Sequence, residues 1–102
     1  MRDKVANNME DRRAVSVTVT GRVQGVWYRG WTVEQARARQ LDGWVRNRTD
    51  GSVEALFAGH GADVDAMLDA CWRGPPSAIV INVKVSEAAD PGPSGFEQHP
   101  TA

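Results

Sequence analysis

One stretch of the chain combines residue types and spacing suited to binding an anion: Gly21-Arg22-Val23-Gln24-Gly25-Val26-Trp27-Tyr28-Arg29. Two glycines four positions apart let the main chain turn sharply and approach a ligand without side chains intervening. The amide groups of Arg22, Val23, Gln24, Gly25, Val26, Trp27, Tyr28 and Arg29 are then free to point inward. Such a curl, opening into a helix N-terminus, favours negative charge. Arg29 adds a planar guanidinium fork that engages phosphate oxygens two at a time and keeps its charge at any relevant pH. The spacing also excludes two common phosphate sites, since the stretch has neither Gly-x-x-x-x-Gly-Lys-Ser/Thr nor Gly-x-Gly-x-x-Gly. On its residues alone the loop is either a phosphate cradle or a plain strand-to-helix connection.

Few other residues offer chemistry. No His, Cys or pair of carboxylates falls in this stretch, so general acid–base or covalent catalysis has no agent there. The single cysteine, Cys71, completes an apolar helical stripe and reads as a buried thiol. His60 and His99 fall in a loop and a tail. No cluster has metal-ligand spacing, so neither a metal nor a cofactor is expected.

The elements that must position the loop are legible in the periodicities. Val15 to Thr20 alternates Val-Ser-Val-Thr-Val-Thr, a strand with Val15, Val17 and Val19 inward. Trp31 to Leu41 has helix formers and no Gly or Pro, with Thr32 as a cap. Gly43 to Asn47 and Ser52 to Ala58 read as a hairpin around Arg48-Thr49-Asp50-Gly51. Gly61 to Trp72 is a helix whose Val64, Met67, Leu68 and Cys71 form one stripe, closed by Gly74-Pro75-Pro76. Ile79 to Val85 is a fourth strand with apolar odd positions, and Phe96 to Gln98 a short last one after the loop Asp90 to Gly95. The order is βαββαβ with a possible short fifth strand. Right-handed crossovers then give an α+β, ferredoxin-like sandwich: an antiparallel sheet, strands one and three central, with two helices on one face.

The run Val19 to Arg29 resembles the first signature of the acylphosphatase family. Gly43-Trp44-Val45-Arg46-Asn47, Asp50-Gly51-Ser52-Val53-Glu54 and Gly59 are similar to its second, and Gly74-Pro75-Pro76-Ser77-Ala78 matches a third recurrent segment. The likeness runs from about Val15 to Phe96. It implies a hydrolase that cleaves a small acyl phosphate to a carboxylate and inorganic phosphate. It further implies that Arg29 holds the phosphoryl oxygens and that Asn47 orients the attacking water. The chain departs from the family pattern at Arg39 and Gln40, where an apolar residue and a glycine are usual, and at Tyr28, where Phe is usual. The missing glycine predicts a strained or differently built helix exit.

Bulk properties fit one small domain: 102 residues, 41% apolar and 25% charged, enough for a single core. A net charge of −1 gives no general attraction for nucleic acid, and no apolar run approaches a membrane span. The domain is expected over residues 14–99, behind a disordered tail at 1–13 that has almost nothing to bury. The expected state is a cytoplasmic monomer. Arg22, Arg46 and Arg48 either give the site mouth a positive field or are solvated; Trp27 and Trp44 either wall the pocket or, in the case of Trp44, pack in the core. Two other functions compete. An RNA platform needs exposed aromatics on the central strands, and only Phe57 offers one; a non-catalytic anion-sensing domain needs only the cradle.

Overall fold

A computed structural model describes residues 11–102. The element order is β1 (Arg12–Arg22), α1 (Tyr28–Ala38), β2 (Asp42–Asn47), β3 (Val53–His60), α2 (Gly61–Arg73), β4 (Ile79–Glu87) and β5 (Phe96–Gln98). The strands form one sheet in the order β4-β1-β3-β2-β5. The first four pair antiparallel, but β5 runs parallel to β2, so the sheet is mixed rather than purely antiparallel. Val15, Val17, Val19, Val45, Val53, Ala55 and Phe57 share one core with Tyr28 and Ala36 of α1 and Val64, Met67 and Cys71 of α2. Both helices therefore cover the same face, as the alternation and the helical stripe require. No helix among the described residues is long and apolar enough to cross a membrane.

Register fixes where the chemistry can be. Val83, Val19, Val53 and Asn47 lie in one row across β4, β1, β3 and β2. Val19 and Val53 are buried in the core, so Asn47 projects on the helix-bearing face. It also lies at the end of the sheet from which β1 leads into the glycine loop.

Five local differences from the sequence expectation have physical causes. Residues 1–10 of the expected tail lie outside the described residues, but Arg12 and Arg13 belong to β1. They pair with His60 and Gly59, and their side chains reach carboxylates: Arg12 bonds Asp90 at 2.6 Å and Asp42 at 2.9 Å, Arg13 bonds Asp65 at 2.6 Å. Helix α1 starts three residues before Trp31, because the Trp31 N–H closes the first turn onto the Trp27 carbonyl at 3.0 Å. Thr32 is thus inside the helix, its hydroxyl donating back to the Tyr28 carbonyl at 2.7 Å rather than capping. Trp44 is not core: it points to the open face of the sheet, stacked on His99 at 5.3 Å with the Arg46 guanidinium 4.8 Å from its ring centre. Phe57, conversely, is fully buried, so the open face of β1 and β3 carries none of the aromatics that an RNA platform needs on its central strands. On β4 the alternation is broken by a bulge opposite Thr20/Gly21, and with β4 at the edge only Val83 is buried while Ile79, Ile81 and Val85 stay exposed.

The helix exit shows how the chain manages without glycine. The Gln40 N–H bonds the Arg37 carbonyl at 3.0 Å and the Leu41 N–H the Ala36 carbonyl at 2.9 Å. This is the paired closure of a Schellman motif, with Leu41 buried beside Ala36 in the core. Gln40 takes the left-handed position itself, at φ 57, where a side chain costs about 1 kcal/mol. Gln40→Gly should raise stability by about 0.5–1 kcal/mol, after the entropy glycine adds to the unfolded chain. A higher urea midpoint at unchanged slope would report it, and an unchanged midpoint would mean that the exit is unstrained.

Candidate active site

Between β1 and α1 the main chain curls through two left-handed residues, Gly25 at φ 75 and Trp27 at φ 68. The consequence is a run of open donors. Among the described residues, no main-chain carbonyl accepts from the N–H groups of residues 24–30; that of Trp31 is the first to close a turn. Four orphan donors are normal at a helix start; here the preceding loop extends the run. Partial positive charge thereby collects at one point without any titratable group.

A cavity of about 180 Å³ opens on this curl. It is lined by Val23, Gln24, Gly25, Trp27, Tyr28, Arg29 and Gly30 from the loop and the first turn of α1, and by Asn47 and Gln98 from β2 and β5. Arg29 and Asn47, widely separated in sequence, thus share one pocket. Arg22 and Val26, also expected at the cradle, do not line it: Arg22 ends β1 opposite Ile79, and Val26 packs against the core. Gly30 and Gln98 were not anticipated. Gly30 falls between the expected cradle and the expected helix, and nothing in the sequence signals that β5 pairs with β2 and so delivers Gln98 beside Val45.

The loop and the strand are fastened together. The Gln24 carboxamide donates both its hydrogens, to the carbonyls of Arg48 and Ser52, each at 2.8 Å. Those two residues flank the β2–β3 turn, itself closed by the Arg48 N–H on the Ser52 carbonyl at 2.9 Å and by Asp50 accepting from the Ser52 hydroxyl and N–H. Further along, the chain beyond β5 clips the same segment: the Ala102 N–H bonds the Asn47 carbonyl and the Thr49 N–H the Ala102 carbonyl, both at 3.0 Å. Asn47 is held from both sides by its main chain, yet its side-chain Oδ1 is buried and has no hydrogen-bond partner among the described residues. A buried acceptor in that condition costs about 1–3 kcal/mol and requires an explanation.

Charge is distributed to suit an anion. Among the described residues Arg29 makes no ion pair and no side-chain hydrogen bond, and no carboxylate lines the cavity. Arg46 and Arg48 both bond Glu54 Oε1, at 2.9 and 3.0 Å, so one carboxylate offsets half of their positive charge. Burial pushes the Glu54 carboxyl up, but these two bonds outweigh it and leave it below the usual carboxylate range. Tyr28 turns its hydroxyl away from the cavity, donating to the Cys71 carbonyl at 2.7 Å. Burial drives that phenol far above its ordinary pKa and pushes the Cys71 thiol up to about 12, which leaves neither as a nucleophile. Among the described residues no group of His, Cys, Asp or Glu could hold a metal ion.

Two measurements test this arrangement. Gln24→Met keeps the length but removes two hydrogen bonds, the carbonyls of Arg48 and Ser52 each keeping one main-chain donor, so it should cost about 1–3 kcal/mol and weaken inorganic phosphate binding by calorimetry; a variant as stable and as tightly binding as wild type would show that the cradle holds its place unaided. A carboxyl with a depressed folded-state pKa contributes stability above its unfolded pKa and loses it as pH falls through the folded one. Part of the fall in thermal midpoint on acidification from about pH 5 to pH 3 should therefore vanish in Glu54→Gln.

Comparison with known proteins agrees with the geometry. The family model described as Acylphosphatase matches residues 15–98. A Rhodospirillum rubrum protein named Acylphosphatase is 56% identical over 89 residues, 87% of this chain and 98% of the relative. One of the same name from Rhizobium meliloti is 54% identical over 85% of this chain and 93% of its own. The structure of an acylphosphatase from Coxiella burnetii superposes with a TM-score of 0.86 at 34% identity, covering 90% of this chain and 97% of that one. With a matching family model over most of its length and relatives of this identity, the chain belongs to the acylphosphatase family.

Proposed function

We propose that the protein hydrolyses small acyl phosphates, R–CO–O–PO₃²⁻, to a carboxylate and inorganic phosphate, with Arg29 and Asn47 as its catalytic side chains. The phosphoryl group sits in the curl of open N–H groups, with the Arg29 fork on its oxygens. Water attacks phosphorus, the bond from phosphorus to the acyl oxygen breaks with its electron pair going to the carboxylate, and the substrate phosphate takes the proton from the water. The leaving carboxylate has a conjugate acid of pKa about 4, so it departs without a proton donor. Phosphoryl transfer through a loose transition state needs mainly position and charge, which is why a site without a titratable acid or base is sufficient.

The observation that carries the reading is the buried, partnerless Oδ1 of Asn47 in the same pocket as Arg29 and the open amides. That oxygen is an acceptor for a water hydrogen, and a carboxamide adds no charge to repel the phosphate. An anion-sensing domain would use the amides and the guanidinium but leaves this acceptor without a purpose; the relatives named Acylphosphatase favour turnover as well. We further propose that it works as a monomer in the cytoplasm; for the reducing compartment the support is its one cysteine, buried and unavailable for a disulfide.

Arg29→Ala and Arg29→Lys should each lower acyl-phosphate hydrolysis on the order of 10²-fold or more, since both remove the bidentate fork. Asn47→Ala should cut kcat while inorganic phosphate inhibits as before. Equal losses of rate and of phosphate affinity would remove Asn47 from the water-orienting role. Hydrolysis should persist in EDTA, because the positive charge comes from the guanidinium and the amides.

A further inference from the structure

Trp27 holds a conformation that its residue type resists. At φ 68 and ψ 23 it is left-handed, a region natural for glycine and uncommon for a bulky side chain. It is nevertheless 59% exposed, so the strain is not offset by burial in the core. Nor is its indole loose. A Cβ on Gly30 would lie 2.1 Å from the Trp27 Nε1, so the ring lies directly over the glycine of the first helical turn, and only glycine there lets it. The result is a flat aromatic surface held at the rim of the cavity that contains Arg29 and Asn47. Every other apolar side chain lining that cavity, Val23 and Tyr28, is buried.

We propose that this indole is the binding face for the acyl group and sets a preference for acyl phosphates with planar, apolar acyl portions. The inference rests on the acyl-phosphate reading and adds the part of the substrate that the cradle does not touch. The phosphoryl end is gripped by amides and guanidinium whatever the acyl group is. Discrimination must come from a surface just outside, and a preset ring stacks on a planar acyl group with little ordering cost. A small acyl group such as acetyl is too short to gain from it.

The test compares benzoyl phosphate with acetyl phosphate in wild type, Trp27→Phe, Trp27→Ala and Trp27→Gly. The last variant adopts the left-handed position without strain, so a folding defect does not obscure the result. The expected result is a fall on the order of ten-fold in the ratio of kcat/KM for benzoyl over acetyl phosphate in the Ala and Gly variants, carried by KM. Trp27→Phe should restore most of the ratio. A ratio within two-fold of wild type in both truncated variants, even if both activities drop, overturns this inference alone. Wild type that hydrolyses neither compound overturns the reading beneath it as well.

Discussion

The geometry of the site depends on one carboxamide. Gln24 belongs to the glycine loop, and its two hydrogens go to carbonyls on either side of the β2–β3 turn. Without that bridge the cradle, which follows β1, and β2, which carries Asn47, would be linked only through β3 and the core between them. Phosphoryl transfer tolerates little such shift, since misplacement by about 1 Å costs on the order of 10²-fold in rate. The clip from Ala102 to Asn47 and Thr49 acts on the opposite flank of the same strand. Asn47 is thus fixed through its main chain, which leaves its carboxamide oxygen unencumbered.

The proposed binding surface is itself main chain. A row of amides gives positive potential that does not titrate, needs no counter-ion and is preorganised by φ values at only two positions, Gly25 and Trp27. Arg29 adds the one formal charge on the cavity lining, and among the described residues no carboxylate competes for it, whereas Arg46 and Arg48 share Glu54, which offsets half of their charge.

Much of this was legible in the residues. Alternation gave the valines of β1, the stripe gave α2, and two signatures at proper separation marked Arg29 and Asn47 before any coordinates. What escaped was long-range. Arg12 and Arg13 look like tail until β3 and three carboxylates are brought alongside them. Trp44 looks like core by hydrophobicity, whereas the parity of β2 sends it outward. Gln24 looks like one more cradle residue, because no local pattern reveals that its side chain will bond carbonyls some two dozen positions away. Gln98 depended on a parallel pairing that three residues of sequence do not specify.

Tyr28 closes the cradle at one end and is among the largest wholly buried side chains at the other, tied to α2 through the Cys71 carbonyl. The glycine loop and the hydrophobic interior thus share one ring. Heat or denaturant that loosens the packing around Tyr28 is transmitted to the loop through that side chain, so fading activity reports on the interior as well as on the loop itself.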